Sequence, residues 1–413
     1  MPQTRSMAEN LSDAGAPALA NAAGSMGEEA KLLLQPDRPI ETDTNGQRVP
    51  AKTHPSGIVN GSSANTTLPG ADAELQELMR NSPFLDLSSP MTPYEWLKCL
   101  LMLPAFLIRC CITVVCMPFV WCVVVTLAWG VQRNEPMLGL RKAIIRPFLK
   151  FWSHILLTIG FNYWPSIRGY ENIKEARRVR AMLVFNHVSY ADGIILGSYF
   201  LPCGLCKASI ADIPFFGTFT RACSFLFVER KGSGDVSKTT ETLKGGHATE
   251  LIHQRCEDPR FPILAISPEG TTKSSDCLLT FSTGAFVGGR PVLPVLLHYR
   301  SRHFNNGWGR VQSSLWHFMR IQSQFINLVN VEVLPPYMPS QEEKQDPRLF
   351  ADNVRRLMAQ RLGVPLVEQG LKQQQELKRR GICVDWTGRH IIMAKPHNQC
   401  KPTIGNQSSE FKK

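Results

Sequence analysis

His187 and Asp192 are the residues whose types and spacing first suggest acid–base chemistry in this chain. An imidazole can take or give a proton near neutral pH. A carboxylate bonded to one ring nitrogen fixes the tautomer and raises the basicity of the other. The two lie in the run Val184-Phe185-Asn186-His187-Val188-Ser189-Tyr190-Ala191-Asp192. On one ideal helix, residues five apart stand roughly 140° apart and share no face. His187 must therefore sit in a turn, with Asp192 folding back to it from the first turn of a following helix. Asn186 and Ser189 are suited to capping that turn. Spacing of this kind also arises by chance, and a purely structural His187 is the alternative.

Two further segments carry polar groups just after apolar runs. Ser267-Pro268-Glu269-Gly270-Thr271-Thr272 follows Ile263–Ile266. A Glu-Gly turn at a strand end presents backbone N–H groups and one carboxylate at the sheet edge, although an ordinary turn has the same composition. Arg230 follows Phe227-Val228-Glu229. Its guanidinium either holds a phosphate through two parallel hydrogen bonds or pairs with Glu229 at the surface. In Arg290-Pro291-Val292-Leu293-Pro294, the prolines, Pro294 included, shape the backbone.

Short apolar runs must position these groups: Ala181–Phe185, Ser224–Val228, Ile263–Ile266, Val292–Leu297 and Leu328–Leu334. Each has strand length and is continuous rather than alternating, which predicts a sheet covered on both faces. The segments between them can hold helices, among them Val236–Arg255. A further helix is expected over residues 347–362, with Asp346 as N-cap, Pro347 in the first turn and Gly363 as stop. Phe350, Val354, Leu357, Met358 and Leu362 form its buried stripe. The fold class is α/β, with a central, largely parallel or mixed sheet flanked by helices. The ends of such strands are where α/β proteins place their chemistry.

Cys99–Gly130 is almost wholly apolar, and Cys110–Gln132 is free of charge over about 23 residues, long enough to cross a bilayer core. Pro118 allows a hairpin dipping into one leaflet instead. The basic cluster after it (Arg133, Arg141, Lys142, Arg146, Lys150) places the following domain on the cytosolic side. Phe148–Trp164 reads as an interfacial helix. Residues 1–93 carry a net charge of −5 and residues 94–413 a net +17, together the +12 of the whole chain. A basic body beside an apolar segment suits anionic headgroups or phosphorylated ligands. No zinc-finger, helix-turn-helix or aromatic RNA-binding signature favours nucleic acid. The 12 cysteines read as thiols of a reducing compartment, and the lone Cys203-x-x-Cys206 completes no metal site. Four regions result: a disordered acidic region over 1–93, membrane-embedded and interfacial helices over 94–165, a catalytic α/β domain over 166–370, and a basic polar tail over 371–413.

Asn186-His187 followed by Asp192, and then Pro268-Glu269-Gly270-Thr271 downstream, resemble two motif blocks of the glycerolipid acyltransferase family. Order and separation match over roughly residues 165–370. Asn-His-Val-Ser-Tyr, Glu-Gly-Thr-Thr and Thr283-Gly284-Ala285-Phe286 are most similar to the lysophosphatidylcholine/lysophosphatidylethanolamine acyltransferase branch. The absence of an Asp-x-Asp-x-Asp-Gly loop points to its shorter, lysophosphatidylethanolamine-type members.

The resemblance implies acyl transfer from acyl-CoA to a lysophospholipid hydroxyl, with His187 as general base and Asp192 as its orienter. Arg230 would hold the acceptor phosphate, with Glu269, Gly270 and Thr271 as acceptor-binding residues. Asn186, Ser189, Pro268 and Pro294 would support the motifs. It implies no cofactor beyond acyl-CoA as co-substrate, no metal, a lipid bilayer as partner, and residence in the endoplasmic reticulum membrane. A lysophosphatidate or glycerol-3-phosphate acyltransferase, or a catalytically silent lipid-binding protein, are the alternatives. No Gly-x-Ser-x-Gly elbow suggests a serine nucleophile.

Overall fold

The computed structural model describes residues 73–394 except 81, 133, 208–212, 214–215, 229–244 and 301–302. Its centre is a seven-stranded sheet in the order β1-β8-β7-β2-β5-β3-β4. The strands are β1 (Tyr163–Arg168), β2 (Met182–Phe185), β3 (Cys203–Lys207), β4 (Leu226–Val228), β5 (Leu264–Ile266), β7 (Val292–Arg300) and β8 (Asn327–Val333). All neighbours run parallel except β7 and β8. The sheet is therefore mixed and largely parallel. All five strands expected from the apolar runs are present.

Side-chain alternation divides the core in two, as the two-residue period of a strand requires. On one face Leu183, Leu293, Val295 and Val331 pack against α4 (Asn172–Arg178), α5 (Asp192–Tyr199) and α8 (Ser314–Gln322). On the other, Met182, Val184, Leu264, Val292 and Leu296 meet α7 (Gly245–Glu257) and α10 (Pro347–Leu362). Helix α10 has the expected bounds. Asp346 accepts from the N–H groups of Arg348 and Leu349, and Gly363 ends the helix at φ 70°. Phe350, Val354 and Met358 are fully buried, and Leu357 and Leu362 pack at the margin of the same core. Of the helix expected over Val236–Arg255, residues 236–244 lie outside the described residues; the rest is in α7.

Helix α2 (Pro93–Leu127) is 35 residues long and has the length and composition to cross a membrane. Only 11% of its most apolar window is buried. It is joined to the body along its length. Lys98 donates to Gln324 Oε1 at 2.7 Å and also pairs with Glu95; Arg109 donates to the Gln322 carbonyl at 3.0 Å; Phe119 packs on Phe148 and Trp152. Helix α3 (Gly139–Ile155) follows and widens into a π-helical turn, Leu156–Gly160. Gly160 sits in close packing there: a Cβ would meet the side-chain atoms Leu156 Cδ1 at 2.8 Å and Thr113 Oγ1 at 3.1 Å. The helix expected to run to Trp164 ends earlier, because Tyr163 already begins β1. Its Pro165 is tolerated because β1 is an edge strand.

Two regions differ from the sequence reading. Residues 1–72 of the expected disordered region, and 395–413 of the expected tail, lie outside the described residues. Residues 73–93 instead contain α1 (Ala73–Met79) and the buried Phe84, Leu85 and Met91. Residues 371–394 form α11 (Leu371–Arg379) and the hairpin β10 (Ile382–Val384) and β11 (Ile391–Met393). The two ends share one core, in which Leu75, Met79 and Phe84 meet Leu377, Ile382, Val384 and Ile391. Polar composition suggested solvated segments, but a few apolar anchors each suffice to fold them onto the body. Beside them β6 (Leu278–Leu279) pairs with β9 (Leu366–Val367). Short helices α6 (Phe216–Ala222) and α9 (Gln341–Gln345) and a 3-10 turn, Thr283–Ala285, complete the described elements.

Candidate active site

Strand β2 is followed by Asn186, whose side chain locks the strand end to β7. Its Nδ2 donates to the Leu297 carbonyl at 3.1 Å, and its Oδ1 accepts from Leu297 N at 2.8 Å. Asn186 thus bridges strands and does not cap the turn. The turn is organised by Asp192, in the first turn of α5 and wholly buried. Its Oδ2 accepts from His187 Nδ1 at 2.7 Å, Val188 N at 2.7 Å and Ser189 N at 3.0 Å. The fold-back inferred from the five-residue spacing is present. Ser189 Oγ accepts from Ala191 N at 3.3 Å, a local turn bond. His187 keeps its side chain 31% exposed against 0% for Asp192, so the ring is held from behind and open in front. With Nδ1 donating to the carboxylate, Nε2 carries the free lone pair.

Tyr299, near the end of β7, was not singled out from the sequence. Its hydroxyl donates to Asp192 Oδ1, the carboxylate's other oxygen. Burial, then the nearby Asp192 charge, hold Tyr299 far above the ordinary phenol range, so it remains a donor. Its only signal in the sequence was a hydroxyl near the end of a long apolar strand, and strand pairing was needed to bring it to Asp192.

The Pro268-Glu269-Gly270-Thr271 turn follows β5, the neighbour of β2. Gly270 adopts φ 70°, which closes the turn. Pro268 offers its carbonyl to Ser282 N at 2.8 Å and Ser282 Oγ at 2.9 Å. Glu269 borders the same cavity as His187 but is almost wholly buried, and its carboxylate is bonded within the protein. Oε1 accepts from His187 N at 2.8 Å, Oε2 accepts from Leu279 N at 2.9 Å, and the Lys273 ammonium stands 3.4 Å from Oε2. Burial pushes the Glu269 carboxyl up, and the Lys273 charge is the largest influence drawing it back. Thr271 is buried and bonds locally to the Thr272 carbonyl at 3.4 Å. Pro294 lies within β7 opposite Val184, and its carbonyl accepts from Leu334 N at 3.0 Å. Arg230 lies outside the described residues.

A cavity of about 1410 Å³ opens beside these turns. His187, Pro268, Glu269 and Gly270 line one end, with Ser282, Arg348 and Lys372 nearby. Apolar residues of α2 and α3, among them Ile112, Met117, Val120, Leu149 and Trp152, line much of the rest. Pockets for drug-sized ligands span roughly 300–1,000 Å³, so this space is large enough for a long chain together with a polar head. Among the described residues no cluster of three His, Cys, Asp or Glu side chains is placed to hold a metal ion.

Residues 165–298 match a family model described as Acyltransferase. This stretch is an acyltransferase domain. His187 and Glu269, just after its strands β2 and β5, lie within this stretch, as do most of the residues described above; Tyr299 on β7 lies one residue beyond it. The chain is 37% identical over 192 residues to "Lysophospholipid acyltransferase LPEAT1" of Arabidopsis thaliana, covering 46% of this chain and 47% of that protein. It is 30% identical over 276 residues to human "Lysophosphatidylcholine acyltransferase 1", covering 65% and 49%. To human "Lysophospholipid acyltransferase LPCAT4" it is 31% identical over 257 residues, covering 61% and 46%. The chain thus spans about half the length of the curated relatives it matches. Among solved structures, the 1-acyl-sn-glycerophosphate (LPA) acyltransferase PlsC from Thermotoga maritima superposes with a TM-score of 0.43 at 18% identity, covering 65% of this chain and 98% of that one.

Proposed function

We propose that this protein transfers a fatty acyl group from acyl-CoA to the free hydroxyl of a lysophospholipid, with lysophosphatidylethanolamine as preferred acceptor and lysophosphatidylcholine as a second. The observation that carries the reading is a His–Asp pair at one end of a long apolar cavity. His187 Nε2 takes the proton of the acceptor hydroxyl as its oxygen attacks the thioester carbonyl. The tetrahedral intermediate collapses with cleavage of the carbon–sulfur bond. The proton held by His187 then passes to the departing CoA sulfur, so the base is regenerated within one turnover. Asp192 holds the tautomer and offsets the imidazolium charge as it forms. The thioester is already activated, so the step needs no acyl-enzyme.

The same reading puts the acyl chain in the apolar part of the cavity, against α2 and α3. Arg230 contributes to holding the acceptor phosphate, and Gly270 lies where the acceptor's glycerol would sit. Helix α2 is fastened to the body at Lys98, Arg109 and Phe119. These repeated attachments favour a helix lying along the domain, its outward face in lipid, over one leaving it to cross the bilayer. Leu100, Leu107, Val114 and Val115 give that outward face its apolar character. We assign the protein to the endoplasmic reticulum membrane, with its catalytic domain facing the cytosolic pool of acyl-CoA.

The test is purified full-length protein in phospholipid vesicles, supplied with labelled acyl-CoA and a panel of lysophospholipids differing in headgroup. Labelled diacyl product from lysophosphatidylethanolamine, absent with His187→Ala, is the expected result. Acylation of glycerol-3-phosphate or lysophosphatidate alone would overturn the acceptor assignment, and turnover by His187→Ala would overturn the mechanism.

A further inference from the structure

Lys273 is the least expected residue near the site. It is four residues past Glu269, its side chain is 1% exposed, and among the described residues its ammonium makes no hydrogen bond. The nearest opposite charge is Glu269 Oε2, at 3.4 Å. A buried ammonium is costly unless a carboxylate compensates it, and a carboxylate buried as completely as Glu269 needs the same in return. Lys273 lines no part of the cavity, so it has no route to substrate. What it can reach is the carboxylate that holds the His187 backbone.

We propose that Lys273 is a positioning residue for acyl transfer, its ammonium keeping Glu269 as a two-oxygen acceptor that fixes the His187 turn. The inference rests on His187 acting as the base. An ionised Glu269 accepts from His187 N and Leu279 N at once, one oxygen to each. A protonated Glu269 turns one oxygen into a donor and loses one of those bonds. The backbone of His187 is then tied on one side only, through the Asp192 turn. Burial already pushes Glu269 toward the protonated form, and Lys273 is the largest opposing influence. Removing the ammonium therefore makes the His187 turn sensitive to pH through Glu269. A lysine that merely filled space would have no such effect, because Met fills nearly the same volume.

The experiment compares wild type, Lys273→Met and the double variant Lys273→Met/Glu269→Gln as full-length proteins in vesicles, measuring kcat, acceptor KM and the pH profile of kcat/KM. Lys273→Met is expected to lower kcat about tenfold or more at pH 7 with little change in KM, and to move the acidic limb of the profile upward by about one unit. The double variant is expected to return that limb to its wild-type position at a reduced rate, since no carboxyl titrates there. A folded Lys273→Met with wild-type kcat and an unmoved limb overturns the proposal. So does an equal shift in the double variant. Should Lys273→Met not accumulate as folded protein, the double variant decides: recovery of folded, active enzyme supports charge pairing, and failure to recover overturns it. An inactive wild type, or an active His187→Ala, would instead count against the reaction itself.

Discussion

In the turn after β2, a buried carboxylate reaches back to a ring that faces the cavity; in the turn after β5, a buried carboxylate accepts from a backbone amide. Both turns follow neighbouring parallel strands, and each carboxylate is completely or almost completely enclosed. Asp192 binds the side chain of His187 and Glu269 binds its main chain. On the proposed mechanism, one sets the chemistry of the imidazole and the other its place. A carboxylate at a strand end is no evidence by itself of contact with substrate.

The contrast can be broken most severely at its shared member. His187→Ala removes the ring that both carboxylates serve, and loss of turnover by about a thousandfold is expected in the vesicle assay, with membrane association unchanged. Asp192→Asn comes next. The amide presents a donor to Nδ1, favours the wrong tautomer, and is expected to lower kcat by a few hundredfold or more while the protein stays folded. Glu269→Gln should lower kcat roughly tenfold to a hundredfold, with acceptor KM nearly constant, because only one of two backbone bonds survives. A raised KM at constant kcat would return Glu269 to the acceptor side. Tyr299→Phe strips Asp192 of one donor and should reduce kcat about fivefold to tenfold, the worth of about 1 kcal/mol.

The smallest effect at pH 7 concerns a second histidine, His317. No carboxylate accompanies it: its Nε2 donates to the Gly307 carbonyl at 3.1 Å, and burial lowers its pKa from 6.5 to about 4. The unfolded chain therefore takes up this proton first. Stability from neutral His317 is complete above pH 6.5 and falls between pH 6.5 and about 4, by roughly 3 kcal/mol. His317→Gln should flatten that part of the pH dependence in denaturant titrations and leave stability at pH 8 little changed.

Much of the active-site frame was legible in the sequence. The run Ala181–Phe185 ending in Asn-His signals a strand stopped by a polar turn, and the five-residue spacing forces Asp192 to fold back. Helix α10 was legible to the residue because Asp346, Pro347 and Gly363 each have a backbone reason for their place. Strand β3 is not legible because Cys-Gly-Leu-Cys-Lys holds no β-branched residue; pairing on both sides, with β5 and β4, compensates for weak propensity. Strand β1 was missed because Pro165 and Ser166 break its apolar run, which an edge strand tolerates. The direction of Glu269, the role of Tyr299 and the depth of Lys273 depend on neighbours distant in the chain. Residues 371–394 misled because four apolar side chains among many charges fold a segment that composition alone calls soluble.

The pairing of β6 with β9 has a consequence for synthesis. Gln369, Gly370 and Leu371 wall the cavity that His187 faces. On the ribosome, His187 and Asp192 emerge roughly 180 residues ahead of that wall, and domains fold as units while synthesis proceeds. A nascent chain thus acquires the proposed base long before the cavity that would enclose a lipid. On the proposed function, a lysophospholipid that reaches the half-made protein meets an imidazole with no enclosing pocket until residues 369–371 close the side.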